Sequence, residues 1–280
     1  MYYLYLIARF LALVLPRKFC YFIASISADF KFYVSKRDRR AVIYNLLPVV
    51  RDKKKAKIYA RKVFENFAFY LVDFFSFPKI DNSFIEKYIR VSGIEYADRL
   101  VDEKKGAVVL SAHIGNYELG AAITSFLGYD IYALALPHKD KRINNFFNQQ
   151  RQVFKVEVIS TGIDVRRCIK VLNDKKMIAF LGDRDFTSAK GQVISMFGRQ
   201  VVLPVGPAFF TLRTNSCILP CFFIRENKYF YRLIFEPALC PKHSKSLDNE
   251  RDIVDQYSKI LEKYILEYPE QWYMFEKYWL

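Results

Sequence analysis

Gly106-Ala-Val-Val-Leu-Ser-Ala-His113-Ile-Gly-Asn-Tyr-Glu118-Leu-Gly120 is the stretch that decides how this chain folds. Its first half is an unbroken apolar run behind a glycine. That is the pattern of a strand buried on both faces, as in a parallel sheet. The run leads straight into His113, Gly115 and Asn116 form a short turn, and a helix opens near Tyr117. Ligands of open α/β sheets bind at the carboxyl ends of strands, so His113 stands where chemistry is done. An imidazole there can act as a general base near neutral pH. Glu118, in the first helical turn, is placed to hold the second ring nitrogen and stabilise the imidazolium. Backbone N–H groups at the helix start can face a developing oxyanion.

The flanking sequence repeats this rhythm. Short β-rich runs are expected at 88–91, 107–111, 131–135, 156–159, 177–181, 218–224 and 229–235. Helical stretches are expected between them near 94–104, 117–127, 141–152, 163–173 and 204–213, with a last helix over about 248–267. The alternation predicts an α/β fold, a mostly parallel central sheet flanked by helices in an αβα sandwich. The last two strands lie close enough in sequence to form an antiparallel hairpin. Upstream the spacing is helical: Ser35 caps a helix that Pro48 ends, and Asp52 caps a second. The expected organisation is an N-terminal helical, membrane-associating region over 1–80 and an α/β core over 81–280, together one structural unit.

Composition narrows the function. With 44 Lys+Arg against 29 Asp+Glu the net charge is +15, and hydrophobic residues make up 52%. That apolar content excludes disorder. The longest charge-free run, residues 200–212, falls short of the roughly 18–20 residues a spanning helix needs. A basic chain with 20 Tyr and 26 Phe suits an anionic partner, either nucleic acid or a lipid headgroup layer. Residues 1–28 mix aromatic and aliphatic side chains with Arg9, Arg17 and Lys18, which reads as an in-plane membrane anchor or a packed helical hairpin. The five cysteines are odd in number and the three histidines scattered, so reduced thiols and no metal site are expected.

Several stretches add a resemblance to this reading. His113-Ile-Gly-Asn-Tyr-Glu118 resembles the His-x4-Asp/Glu motif of glycerolipid-type acyltransferases. More narrowly it resembles the form found in the bacterial lipid A biosynthesis (lauroyl/myristoyl) acyltransferase family. Arg39-Arg40-Ala-Val-Ile-Tyr-Asn45-Leu is similar to that family's N-terminal helix. Gly182-Asp183-Arg184-Asp185-Phe186 is similar to its Asp-Gln-Asp loop. Phe197-Gly198-Arg199 with Pro204-Val-Gly206-Pro207, and Tyr268-Pro-Glu-Gln-Trp272, resemble stretches that follow in the same order.

The resemblance implies transfer of a fatty acyl chain from an acyl carrier protein thioester to a hydroxyl of a membrane glycolipid. His113 would be the base and Glu118 its support. Gly115, Asn116, Arg151, Asp183 and Arg184 would bind substrate, with no cofactor beyond the thioester co-substrate. Anionic membrane lipid would be a partner and nucleic acid would not. The implied location is the cytoplasmic face of a bacterial inner membrane, peripheral or anchored by the N-terminus. Tyr117 and Arg184 depart from the family's Trp and Gln, which leaves the acceptor open. A coenzyme A-dependent lysophospholipid acyltransferase and an acyltransferase for another glycolipid, such as a phosphatidylinositol mannoside, are the alternatives. A non-catalytic basic binding module fits less well, lacking a stacking motif or a Gly-x-x-Gly loop.

Spacing alone would not single out His113. His243 and Asp248 repeat it inside a polar loop with no preceding strand, where Asp248 reads better as a helix cap. For an acyl-chain tunnel the apolar residues Phe126, Leu127, Phe209, Phe210 and Leu212 are the sequence's candidates.

Overall fold

The structure is a computed structural model and describes residues 2–161, 164–185, 191–241 and 249–280. His243 and Asp248 lie outside the described residues. In chain order, helices α1 (Tyr2–Val14), α2 (Arg17–Val34), α3 (Lys36–Val50), α4 (Lys53–Phe75) and α5 (Asn82–Tyr88) precede strand β1 (Ile89–Ser92). Then come α6 (Ile94–Asp102), β2 (Ala107–Ser111), α7 (Tyr117–Phe126), β3 (Ile131–Ala135), α8 (Lys141–Gln152) and β4 (Glu157–Ser160). After these follow α9 (Val165–Asn173), β5 (Met177–Leu181), β6 (Gln192–Met196), β7 (Arg199–Leu203) and α10 (Gly206–Thr214). The chain closes with β8 (Cys217–Arg225), β9 (Tyr231–Phe235) and α11 (Glu250–Glu267).

Seven strands form one sheet in the order β1-β9-β8-β2-β5-β3-β4. All neighbours are parallel except β8 and β9, which form the antiparallel pair. Side chains alternate across the sheet, and each face has its own core. Val108, Leu110, Ile178, Ile218 and Phe222 pack with α9, α10 and α11. Ala107, Val109, Met177, Leu219 and Phe223 pack with α6, α7 and α8. Helix α4 serves both: Phe64 and Tyr70 join the first core, Phe74 and Phe75 the second.

Four local expectations are corrected. Pro48 sits inside α3, which runs on to Arg51 in the left-handed region at φ 54°. A proline in the last turn removes one N–H, and the cap closes through Arg51 N–H to the Leu47 carbonyl. Ser35 occupies the N-cap position of α3 without a side-chain cap bond, whereas Asp52 accepts from the Lys54 and Lys55 amides. Residues 192–203 form an unforeseen antiparallel hairpin, β6–β7, whose turn residues Phe197 and Gly198 both have positive φ. Finally, Cys217 and Cys240 form a disulfide rather than free thiols, tying the segment after β9 back to β8; Cys20, Cys168 and Cys221 are free and buried. Nearby, Ile218 and Leu239 exchange backbone hydrogen bonds that hold the same two segments together.

Candidate active site

Strand register builds the site. In the parallel β2–β5 pair Ser111 lies opposite Leu181. Two residues further along each strand end, His113 therefore meets Asp183. The contact is made twice: the His113 backbone N–H donates to Asp183 Oδ2 at 3.0 Å, and His113 Nδ1 lies 2.8 Å from Oδ1. Trp272 Nε1 donates to Oδ2 at 3.2 Å. Burial would push the Asp183 carboxyl up. The His113 charge, the bonds from its ring and backbone, and Trp272 hold it below the usual carboxylate range. An ionised carboxylate only accepts, so Nδ1 carries the proton and Nε2 is the basic nitrogen.

Glu118 does not hold the ring, which corrects the role expected of it. Both its oxygens are taken by Arg151: Nε donates at 2.9 Å and Nη2 at 2.5 Å. Helix α7 turns Glu118 toward α8, and a planar guanidinium answers both oxygens at once. Burial would lower the Arg151 pKa, but the Glu118 charge and hydrogen bonds raise it. The pair is fixed, charged and only about a tenth exposed at either end.

Gly115 and Asn116 build the turn. Gly115 has φ 62°, and a Cβ there would come within 2.1 Å of the Phe223 carbonyl oxygen. Only glycine fits both conditions. Its N–H donates to the Gln271 carbonyl and that of Asn116 to the Phe223 carbonyl, so these amides serve the fold rather than an oxyanion. Asn116 Oδ1 caps α7 by accepting from Leu119 N–H. Its Nδ2 reaches Asp73, which also accepts from Arg225 and Tyr21 in a buried cluster.

The C-terminal tail clamps this turn. Tyr273 N–H donates to the His113 carbonyl at 2.7 Å, and Ile114 bridges Trp272. Asn45 on α3 holds the tail in place, donating to the Met274 and Glu276 carbonyls and accepting from Tyr278 N–H. The stretches around Asn45 and Tyr268–Trp272, far apart in sequence, thus converge on the His113 loop.

Beside His113 and Arg151 opens a mostly apolar cavity of about 840 Å³, within the size range of small-molecule sites. Arg184 lines it and donates to Glu276 at 2.9 Å. Phe209 and Phe210 line it too; Phe126 faces outward, and Leu127 and Leu212 pack against the cores instead. His138 also lines it, its pKa lowered by burial and by Arg151. No residue pattern in the sequence marked His138. Ser111 Oγ and Thr161 Oγ1, both on lining residues, are buried with no hydrogen-bond partner. Among the described residues no group of three or more His, Cys, Asp or Glu is disposed to hold a metal ion.

A histidine–carboxylate pair at the carboxyl rim of a parallel sheet, beside a mostly apolar cavity, is the layout of an α/β enzyme site. The profile of the family described as bacterial lipid A biosynthesis acyltransferase matches residues 1–280, and the chain belongs to that family. It is an acyltransferase acting on lipid or glycolipid acceptors. It is 22% identical over 222 residues to a phosphatidylinositol mannoside acyltransferase of Mycolicibacterium smegmatis (strain ATCC 700084 / mc(2)155), covering 77% of this chain and 70% of the relative. Among solved structures it resembles the 1-acyl-sn-glycerophosphate (LPA) acyltransferase PlsC from Thermotoga maritima. That likeness has a TM-score of 0.41 and 14% identity, over 89% of this chain and 98% of the other.

Proposed function

We propose that this chain moves a fatty acyl group from an acyl carrier protein thioester to a hydroxyl of a membrane glycolipid resembling a lipid A precursor. The observation that carries the mechanism is His113, which lines the cavity and is held from behind by the buried Asp183. The acceptor hydroxyl gives its proton to His113 Nε2 while its oxygen attacks the thioester carbonyl carbon. A C–O bond forms, the C–S bond breaks, and the proton passes to the departing thiolate. An ester and a free thiol leave, and His113 is neutral again. Asp183 stays ionised throughout, keeps the proton on Nδ1 and stabilises the transient imidazolium. The thioester is a co-substrate and no acyl-enzyme is required. The Arg151–Glu118 pair stiffens the contact of α7 and α8 beside the base, and Arg184 supplies positive charge at the rim for a phosphorylated acceptor.

The surface supports a membrane substrate. Tyr3, Leu4, Ile7, Phe10 and Val14 on α1, and Phe19, Phe22, Ile26, Phe30 and Tyr33 on α2, are all exposed. Each set follows one helical stripe, with exposed Lys18 and Lys31 beside it. Among the described residues no helix is long and apolar enough to cross a membrane. The reading is a peripheral enzyme lying on the anionic cytoplasmic leaflet of the inner membrane.

The direct test offers purified protein acyl carrier protein and coenzyme A thioesters side by side, with mass spectrometry of lipids from cells with and without the protein. One acyl group gained by one glycolipid class, preferentially from the carrier protein, is the expected result. Preference for coenzyme A and a lysophospholipid would replace the reading with its closest alternative.

A further inference from the structure

Adding a hydroxyl oxygen to a thioester puts negative charge on the carbonyl oxygen, and that oxygen needs a hydrogen-bond donor close to the base. Several groups around His113 are already committed. The Gly115 and Asn116 amides donate to the Gln271 and Phe223 carbonyls, and the His113 amide donates to Asp183. Arg151 gives Nε and Nη2 to Glu118 and Nη1 to Asn148. The His138 ring lies against Phe147, with centroids 4.8 Å apart.

Tyr117, the first residue of α7, is placed differently. It lines the cavity with His113, and its ring meets the imidazole edge-on, with centroids 5.4 Å apart at an interplanar angle of 71°. Tyr70 of α4 is buried behind it, with its ring 5.2 Å away and its hydroxyl donating to the Tyr117 oxygen. An oxygen that accepts from Tyr70 still carries its own proton, which is free to point into the cavity. Burial is the main reason the phenol keeps that proton, and the negative charges of Glu118 and Asp183 add to it. Against the pull of Tyr70 and Arg151, they hold the Tyr117 pKa well above the usual tyrosine value. The hydroxyl is a feature of this chain, since tryptophan stands there in the family motif that residues 113–118 resemble.

We infer that Tyr117 is a catalytic residue of this chain: its O–H donates a hydrogen bond to the oxyanion formed when the acceptor oxygen adds to the thioester carbonyl, and Tyr70 holds the phenol in place. This rests on the acyltransferase reading above. The phenol donates a hydrogen bond and not its proton, so it ends each turnover as it began. The acceptor proton still goes to His113 and on to the departing thiolate. A neutral phenol in a mostly apolar cavity is a fixed donor aimed where charge develops, and the ring contact keeps it next to the base.

The experiment measures kcat and KM, with thermal melts, for wild type, Tyr117→Phe, Tyr70→Phe and protein carrying 3-fluorotyrosine at position 117. Calorimetry with a long-chain alkylphosphonate, a tetrahedral anion like the intermediate, adds a readout that needs no turnover. Tyr117→Phe keeps the ring contact and removes the donor. Its kcat should fall by about 10²–10³-fold while KM and Tm stay near wild type. Its affinity for the phosphonate should fall by about tenfold or more. Tyr70→Phe leaves the donor in place and should lose less than about tenfold in kcat. Fluorine makes the phenol more acidic and a stronger donor, so the fluorotyrosine protein should turn over about twofold faster or better. Folded Tyr117→Phe with wild-type kcat and wild-type phosphonate binding overturns the inference. So does a fluorotyrosine kcat at or below wild type, which is the deciding result if Tyr117→Phe does not fold. Wild-type protein that moves no acyl chain from any thioester sinks the reading of function instead, and the phosphonate affinities still decide whether Tyr117 is the donor.

Discussion

Two carboxylates stand near His113, and the register of β2 on β5 decides between them. Glu118 is five residues away in sequence and Asp183 seventy, yet Asp183 meets the ring and Glu118 meets Arg151. The consequences of removing each differ in kind. On the proposed mechanism Asp183→Asn keeps the shape and removes the charge that would support the imidazolium, so turnover should fall by about 10²–10⁴-fold with a modest change in Tm. Folded His113→Ala should lose at least as much. Glu118→Gln strands a buried guanidinium, which costs about 3–5 kcal/mol and lowers Tm by about 10 °C. Rates and melts on the three variants together separate the roles. Asp183→Asn that keeps its activity, beside Glu118→Gln that loses turnover without losing Tm, would return the supporting role to Glu118. The acid limb carries the same signature. Because the folded Asp183 pKa is depressed, its contribution to stability is full above about pH 3.9 and is lost as pH falls through the folded value.

Elements whose buried faces are written in a continuous apolar run could be read directly. Strands β2, β3 and β5 occupy the residues expected of them, since each is an interior strand. The β6–β7 hairpin could not be read so. Its turn is Phe197-Gly198 rather than Asn-Gly, and its strands alternate weakly. Both the asparagine that anchors the tail and the aspartate that meets His113 were visible as residues, but their contacts span most of the chain and follow only from topology. Residues 1–28 were legible as an in-plane anchor or a packed helical hairpin, and the structure adds the two helices, α1 and α2, and which side of each faces out. Deleting residues 1–28 would be a poor test of membrane binding, because Arg17 and Tyr21 both reach the buried Asp73. Phe22→Ser with Phe30→Ser alters exposed positions only and should cut partitioning onto anionic vesicles by about tenfold while Tm stays put. Undiminished co-sedimentation of the double variant would move the membrane contact elsewhere.

For the whole molecule, net charge provides a test of the proposed carrier-protein donor. The chain carries +15, so if the donor is the acidic acyl carrier protein proposed above, their encounter is steered by long-range attraction that salt screens. The screening length is about 10 Å at 0.1 M salt and about 30 Å at 0.01 M. Steering acts on association, so kcat/KM for the carrier-borne donor should fall several-fold over that range while kcat at saturating donor stays level. A neutral acyl-pantetheine thioester presents the same reacting bond and the same chain without the carrier's charge. Its kcat/KM should be nearly independent of salt, which isolates the protein–protein term from any effect on the chemistry. Reversing exposed cations on α3 and α4, such as Lys36→Glu with Lys54→Glu, should flatten the salt slope for the carrier-borne donor if those helices form its approach. A slope equally steep for both donors would place the salt effect in the enzyme or the acceptor, and the carrier protein would lose its claim as the steered partner.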